Sequence, residues 1–412
     1  MLNPATLRLV LFISCAHALV HIYELSLPSV EQELTAEFTA SKVSDNRQEG
    51  TVNSSNQNDQ KKMSGLLGSC WRLPWGFGAL VAGWLVDRFG SHRMLAIYLV
   101  GCSVTCAMVA TVQTVPLLFV SMFSMGAFAS IYHPAGLALI SHSTTSENRS
   151  YALGIHGIFG SVGIGGAPLL AGAVLSWGMA WREYYVILAV PGLLFGILFA
   201  AKRGRDYDKV VENPSANFEE ARQVDWACYF VLTFVAMLCG ILYSAFLHFL
   251  PRYLTNMEWT GTSLFEAGRF KFFAGAILLV GCFGQYLSGS IARARILEKQ
   301  LACIVLLQVP CLLGMGLATG PWRLLAASCF AFIHFMNQPI YNSLVAKYTP
   351  RRRRSLSYGF SFAAGLGVGG LGTAVAGTVQ SDLLFYAGLA CICLLAAGLC
   401  GILVRWSGVK QE

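Results

Sequence analysis

A short polar turn, GWLVDRFGSHR at residues 83–93, separates two long apolar runs of the sequence. Gly90 permits a tight turn, and basic residues such as Arg88 and Arg93 hold a helix end at the cytoplasmic face of a membrane. Asp87, at the end of a helix, can accept charge-assisted hydrogen bonds from the N-terminus of a neighbouring helix. The segment therefore predicts a turn between two membrane spans, with a conformational latch formed by Gly83, Asp87, Arg88, Gly90 and Arg93.

The composition is that of a membrane protein. Of the 412 residues, 55% are hydrophobic and only 12% are charged, and the mean hydropathy is +0.57. A helix needs about 20 apolar residues to cross a hydrocarbon core of roughly 30 Å. Twelve runs meet this demand, at residues 7–30, 64–86, 94–113, 115–141, 150–177, 182–201, 226–250, 265–291, 300–319, 322–346, 355–380 and 383–405. The sequence predicts an all-α, polytopic membrane protein of twelve transmembrane helices, and its net charge of +8, carried mainly by loops, does not indicate nucleic-acid binding.

The positive charges between the spans indicate how the chain is inserted. With the N-terminus in the cytoplasm, 19 of the 29 lysines and arginines lie on the inner side and nine on the outer side, while Arg72 lies within a span. Cytoplasmic loops carry an excess of such residues. The chain is therefore predicted to be a multi-pass protein of the cell (inner or plasma) membrane with both termini in the cytoplasm.

Two polar segments divide the chain. Residues 36–62 are rich in Asn, Gln, Ser and Asp and predict a flexible external loop. Residues 202–224 are interpreted as a cytoplasmic linker between an N-terminal six-helix bundle, residues 1–201, and a C-terminal six-helix bundle, residues 225–412.

An internal repeat relates the two predicted bundles. When the sequence is shifted by 205 positions, Pro134 aligns with Pro339 and Arg149 with Arg354. Four glycines also align, namely Gly154, Gly160, Gly165 and Gly172 with Gly359, Gly365, Gly370 and Gly377. The halves are therefore predicted to have arisen by duplication, and parallel six-helix repeats with a site near the midplane between them are a known transporter design.

The turn at residues 83–93 resembles the signature loop of the major facilitator superfamily, G-x-L-x-D-R-x-G-R-[K/R], with Ser91 in place of the first basic residue. Further segments resemble the fosmidomycin-resistance branch of that superfamily: HALVH at 17–21, YHP at 132–134, G-x-x-G at 160–163 and GLGVGGLG at 365–372. The resemblance implies two pseudo-symmetric six-helix bundles and proton-driven efflux of small drugs or anionic metabolites by alternating access. Members of that branch often carry an acidic residue where His21 stands, so this position departs from the pattern.

Ionisable residues inside the apolar spans are costly to bury and usually reflect function. His17, His21 and Glu24 are spaced i, i+4, i+7, which places them on one face of the first span. Imidazole has an ordinary pKa of about 6.5, so this face is a candidate for proton relay or substrate contact. The alternative is a set of polar contacts that fix helices together. Arg72, in the second span, is long enough to reach Glu24 or an anionic substrate.

Other polar residues of the spans extend the candidate site. His133 and His156 are expected at similar depth in the inner halves of the fourth and fifth spans, where they can pair. His334, Asn337 and Gln338 in the tenth span are the candidates for the C-terminal side of the site.

These features predict a secondary active transporter that exports a small anionic or zwitterionic molecule against proton entry. The alternatives are a divalent-metal transporter that uses the His and Glu side chains, and a non-transporting membrane receptor or scaffold. We expect no enzyme activity and no cofactor, because the sequence contains no cofactor motif and does not place a nucleophile, base and orienting group together. The expected partners are a small-molecule substrate, protons and lipid; the protein is expected to be monomeric and not to bind nucleic acid.

Overall fold

A computed structural model describes residues 3–43, 52–144, 148–201, 225–257, 268–350 and 354–409. Within these ranges the only regular elements are helices. Ten of them are long and apolar enough to cross a membrane. The prediction of an all-α, polytopic membrane protein is confirmed.

The first half of the chain forms eight helices, and the second half forms eight more with one π-helical turn. In the first half they are α1 Pro4–Glu24, α2 Ser26–Val43, α3 Val52–Phe89, α4 Ser91–Thr111, α5 Val115–Ala129, α6 Tyr132–Ser143, α7 Arg149–Ser176 and α8 Trp181–Ala201. In the second half they are α9 Trp226–Thr255, α10 Arg269–Ile291, α11 Leu297–Leu317, α12 Trp322–Phe335, α13 Asn337–Tyr348, α14 Arg354–Phe362, the π turn Ala363–Val368, α15 Leu371–Thr378 and α16 Asp382–Val409.

Two of the twelve predicted spans are helical but are not among the ten helices that are apolar enough to cross a membrane. The span at 64–86 lies within α3, and the span at 322–346 is covered by α12 and α13. Both are more polar than their neighbours because they carry candidate site residues, among them Arg72 in α3 and His334 in α12. The reduced hydropathy of these two helices thus has a local cause.

Three helix breaks have a common cause, which is a proline three or four residues further along the chain. Proline lacks the amide hydrogen that would bond to the carbonyl of residue i−4, and its ring clashes with that carbonyl. Pro28, Pro134 and Pro339 follow the breaks at Leu25, at residues 130–131 and at Met336. The breaks divide α1 from α2, α5 from α6 and α12 from α13, and each lies beside a polar residue of the candidate site.

The prediction of a flexible loop at residues 36–62 is wrong for most of this segment. Residues 36–43 continue α2 and residues 52–62 begin α3; residues 44–51 lie outside the described ranges. Helix forms here because the polar side chains find partners. Glu37 accepts hydrogen bonds from Arg182 and Trp181, and Lys61 donates to the Val379 carbonyl. The linker predicted at 202–224 lies wholly outside the described residues.

The buried apolar side chains form two clusters. One consists of residues between Val10 and Phe199, and the other mostly of residues between Cys228 and Leu403. The most extensive contacts between the two halves are those of α3 with α15 and of α7 with α10. Aligned glycines lie at both contacts: a Cβ on Gly370 would come within 2.6 Å of the Arg72 Cβ, and one on Gly165 within 2.7 Å of Leu279. These positions therefore need glycine for close helix approach.

Candidate functional site

A buried ion pair connects α1 to α3. The Glu24 side chain is fully buried and Arg72 is 2% exposed. Arg72 Nη1 donates to Glu24 Oε1 at 2.7 Å, and His21 Nδ1 lies 2.8 Å from Glu24 Oε2. Both oxygens of the carboxylate are thus engaged, and the contact between Arg72 and Glu24 expected from the sequence is present.

A continuous hydrogen-bonded chain runs from this ion pair along α1. His17 Nδ1 lies 2.8 Å from the His156 carbonyl oxygen, which can only accept, so Nδ1 carries the proton. In a neutral His17 ring, Nε2 is then an acceptor, and His21 Nε2 at 3.2 Å is its donor. The contact between His21 and Glu24 requires one further proton. The chain is thus polarised, with Arg72 at one end and a backbone carbonyl at the other.

Two more predicted residues close around the His17 ring. The His156 ring stacks on it with centroids 3.9 Å apart and an interplanar angle of 3°, and the His133 ring lies 5.6 Å away. His133 also stacks on Phe362 of α14, at 5.4 Å. His17, His21 and Glu24 thus come from α1. His133 comes from the start of α6, directly after the break between α5 and α6.

Gly160 of α7 makes room for His17, which yields a prediction. A Cβ at position 160 would lie 2.4 Å from His17 Cε1, whereas a Cβ at Gly157 would meet nothing within 4 Å. We expect Gly160→Ala to displace the His17 ring, to lower stability by about 1–3 kcal/mol and to slow transport. Thermal melting and vesicle flux measure both effects. Gly157→Ala is the matched control, and equal behaviour of the two variants would contradict a tight fit at His17.

Arg72 also faces the second half of the chain. Its Nη2 is buried and has no hydrogen-bond partner among the described residues. The Tyr243 ring of α9 covers the guanidinium, with Cζ 5.6 Å from the ring centroid, and stacks on His334 at 6.0 Å. Sequence reasoning missed Tyr243, because nothing in its local pattern shows that it reaches Arg72.

The predicted residues of the tenth span have different surroundings. His334 Nδ1 is 2.8 Å from Gln308 Oε1, so His334 is fixed within the second half. Gln338 accepts from Gln285 at 3.1 Å. Asn337 is 8% exposed, and neither its amide nitrogen nor its amide oxygen has a partner in the described part of the chain. Both polar atoms of the buried Asn337 amide are thus available for further hydrogen bonds.

The predicted latch lies at the turn between α3 and α4. Gly90 has φ +84°, a left-handed conformation that favours glycine. Asp87, Arg88 and Arg93 are exposed, and the described ranges contain no hydrogen bond or ion pair to Asp87. The side chains at the start of α7 are not described, so a partner for Asp87 there stays a prediction, as does a latch made of Gly83, Asp87, Arg88, Gly90 and Arg93.

Polar contacts join the two halves at the end of the bundle where α2 ends and α3 begins. We call this end the distal end. Sequence reasoning missed these contacts. Arg252 of α9 forms a bidentate pair with Glu31 of α2, with both N···O distances at 2.7 Å and the Glu31 side chain fully buried. His248 accepts or donates a bond to Ser64 at 2.8 Å and is 1% exposed. Nothing in the local sequence pattern shows that His248 reaches Ser64, 184 positions away. A cavity of about 290 Å³ beside these contacts is lined from both halves.

Comparisons with known proteins agree with this architecture. The sequence model of the Major Facilitator Superfamily matches residues 55–373. A probable L-galactonate transporter of Escherichia coli K12 is 25% identical over 261 residues, 58% of this chain and 57% of that protein. A probable sulfoacetate transporter of Cupriavidus necator is 22% identical over 244 residues, 55% of each chain. The matches thus span slightly more than half the length of these relatives.

A solved structure has the same fold along nearly the whole chain. It is a bacterial homologue of the human lysosomal transporter Spinster in an inward-facing, occupied conformation, with a TM-score of 0.71, 14% identity and 98% of both chains covered. At this identity the likeness concerns the fold alone. The family match covers most of the chain and shows that the chain belongs to the major facilitator superfamily, a family of transporters and not of enzymes.

Proposed function

We propose that this transporter carries a small organic anion, bound between its two halves at Arg72. The observation that supports this most strongly is the buried Arg72 Nη2, which has no hydrogen-bond partner in the described ranges although Nη1 is paired with Glu24. A guanidinium presents its donors in a planar fork that fits a carboxylate or sulfonate in bidentate geometry. An anion that takes the place of the Tyr243 ring over Arg72 would complete its hydrogen bonding.

The relatives support the same substrate class. L-galactonate and sulfoacetate, the molecules in the names of the two curated relatives, are small molecules that carry a carboxylate or a sulfonate. Asn337 supports a second contact, since its amide can both donate to and accept from a polar group of the substrate. An anion held by Arg72 on one side and Asn337 on the other would contact both halves.

Alternating access supplies the movement in this proposal. Tyr243 belongs to α9 and Arg72 to α3, so separation of the two halves uncovers the guanidinium. Coupling to protons through His17, His21 and Glu24 is part of the proposal, as is export, which rests on the resemblance to the fosmidomycin-resistance branch. The charge-polarised chain from Arg72 to His17 supports a role of these residues in coupling.

Flux in proteoliposomes under an imposed pH gradient tests the proposal. We expect labelled sugar acids or short sulfonates to move, and Glu24→Gln to reduce gradient-driven flux more than anion exchange without a gradient, because coupling needs a group that changes charge. Glu183→Gln, which removes an exposed acid, is the control. Export against proton entry predicts accumulation on the acidic side, while accumulation on the alkaline side would show that proton and anion travel together.

Three outcomes would contradict parts of this proposal. Absence of anion flux from correctly folded protein would overturn the substrate class. Full gradient-driven flux in Glu24→Gln would place coupling elsewhere. Uptake of Zn²⁺ in place of anions would favour the metal-transport alternative.

A further inference from the structure

We propose that His17, His21 and His133 form a binding site for a first-row transition-metal ion, best suited to Zn²⁺. Ring nitrogens of the three residues, one from each, lie within 4.8 Å of one another. Two imidazole nitrogens bound to one tetrahedral Zn²⁺ are about 3.4 Å apart, given Zn–N bonds of about 2.0–2.1 Å. The Nε2 atoms of His17 and His21 are already 3.2 Å apart, so only His133 has to approach.

The hydrogen bonds on the opposite side of two rings are those that orient metal-binding histidines. Such histidines donate their other ring N–H to a backbone carbonyl or a carboxylate. His17 Nδ1 donates to the His156 carbonyl, and His21 Nδ1 faces Glu24, which Arg72 holds in place. Nε2 is therefore the ligand atom left on each ring, and the proton that His21 Nε2 donates to His17 is released when the metal binds.

The donor set selects the class of metal. Neutral imidazole nitrogens suit Zn²⁺, Cu²⁺ and Ni²⁺, whereas Mg²⁺ and Ca²⁺ require oxygen ligands. Three protein ligands leave one position of a tetrahedron for an oxygen atom from water. The buried Glu24 carboxylate, hydrogen-bonded to His21, offsets part of the added charge.

A metal ion here would inhibit transport. It would occupy the His21 Nε2 position that donates to His17 in the hydrogen-bonded chain, and it would stand beside the anion site at Arg72. It would also bridge α1 and α6, which carry the three ligands. Metal binding is measured without any anion, so its failure and the failure of the proposed function are distinguishable.

Purified full-length protein titrated with Zn²⁺ and with Co²⁺ tests the inference. We expect one Zn²⁺ per chain and visible absorption bands of tetrahedral Co²⁺ that Zn²⁺ displaces. His133→Ala should remove the Co²⁺ bands, with His133→Gln as a second variant in case the first does not fold. Glu24→Gln keeps all three ligands and should weaken affinity roughly 10–100-fold, as loss of an outer-shell partner does.

The control is His92→Ala, at the start of α4 and far along the chain from the three ligands, which should leave binding unchanged. A wild-type protein without tetrahedral Co²⁺ bands would overturn the inference. So would variants of His133 that bind Zn²⁺ with unchanged affinity, because the bound metal would then sit elsewhere. The inference would gain support if Zn²⁺ blocked flux in the wild type but not in a His133 variant that still transports.

Discussion

Replacing Arg72 by methionine is expected to abolish anion transport, with a loss of more than about 100-fold, and to destabilise the protein. The substitution removes the Nη2 donor and leaves the fully buried Glu24 carboxylate without the cation that Arg72 supplies. Removing one member of a buried ion pair costs about 3–5 kcal/mol, because the other charge stays buried without compensation. Flux in vesicles and thermal melting measure the two effects.

A double variant separates the binding role of Arg72 from its role in stability. Arg72→Met combined with Glu24→Gln removes both charges, so the stability should largely return while transport stays lost. Arg72→Lys should recover flux only in part, since a point charge replaces a planar fork. Arg405→Gln, at an exposed arginine of α16, is the control. Transport by the double variant at the wild-type rate would show that Arg72 serves only to hold Glu24.

The second large effect is expected at the distal end. Arg252→Gln should open the contact between α2 and α9, because Glu31 is fully buried and loses both hydrogen bonds of the bidentate pair. A cost of about 3–5 kcal/mol is enough to raise the population of distal-open states by more than about 100-fold. Hydrogen–deuterium exchange of peptides covering 26–43 and 244–255 should accelerate accordingly.

An ion pair within the first half provides the matched control for this experiment. Arg182 and Glu37 also pair at the distal end, but both belong to the first half and the Glu37 side chain is 46% exposed. Exposed pairs contribute only about 0–1 kcal/mol, so Arg182→Gln should change exchange little. Similar exchange in Arg252→Gln and Arg182→Gln would mean that the Glu31 pair does not hold the halves together.

The parts of the structure that follow local periodicity could be predicted from the sequence. Apolar runs and their breaks located the spans, and the i, i+4, i+7 spacing placed His17, His21 and Glu24 on one face of α1. The length of the arginine side chain sufficed to connect Arg72 to Glu24, since both lie at similar depth. These inferences depend on helix geometry and on the cost of burying charge, which the sequence carries directly.

Contacts that depend on how helices pack could not be predicted. The polar composition of residues 36–62 indicated a loop, but Glu37 and Lys61 are satisfied by residues more than a hundred positions away, which stabilises helix there. The contact of the Tyr243 ring with Arg72 likewise could be predicted only from the relative position of the two halves. Composition alone does not contain that information.

The three proline-dependent breaks have a mechanical consequence. Glu24, Ser130 and Phe335 are the residues four positions before these prolines, and their carbonyls lose the backbone donor that each would have in a regular helix. Bending therefore costs less at these points than along the proline-free parts of the spans. The hinges lie next to Glu24, His133 and Asn337, so flexing of a span near mid-depth changes the spacing of these side chains while the helix ends stay anchored. The site can thus tighten or loosen locally, in addition to the proposed separation of the two halves.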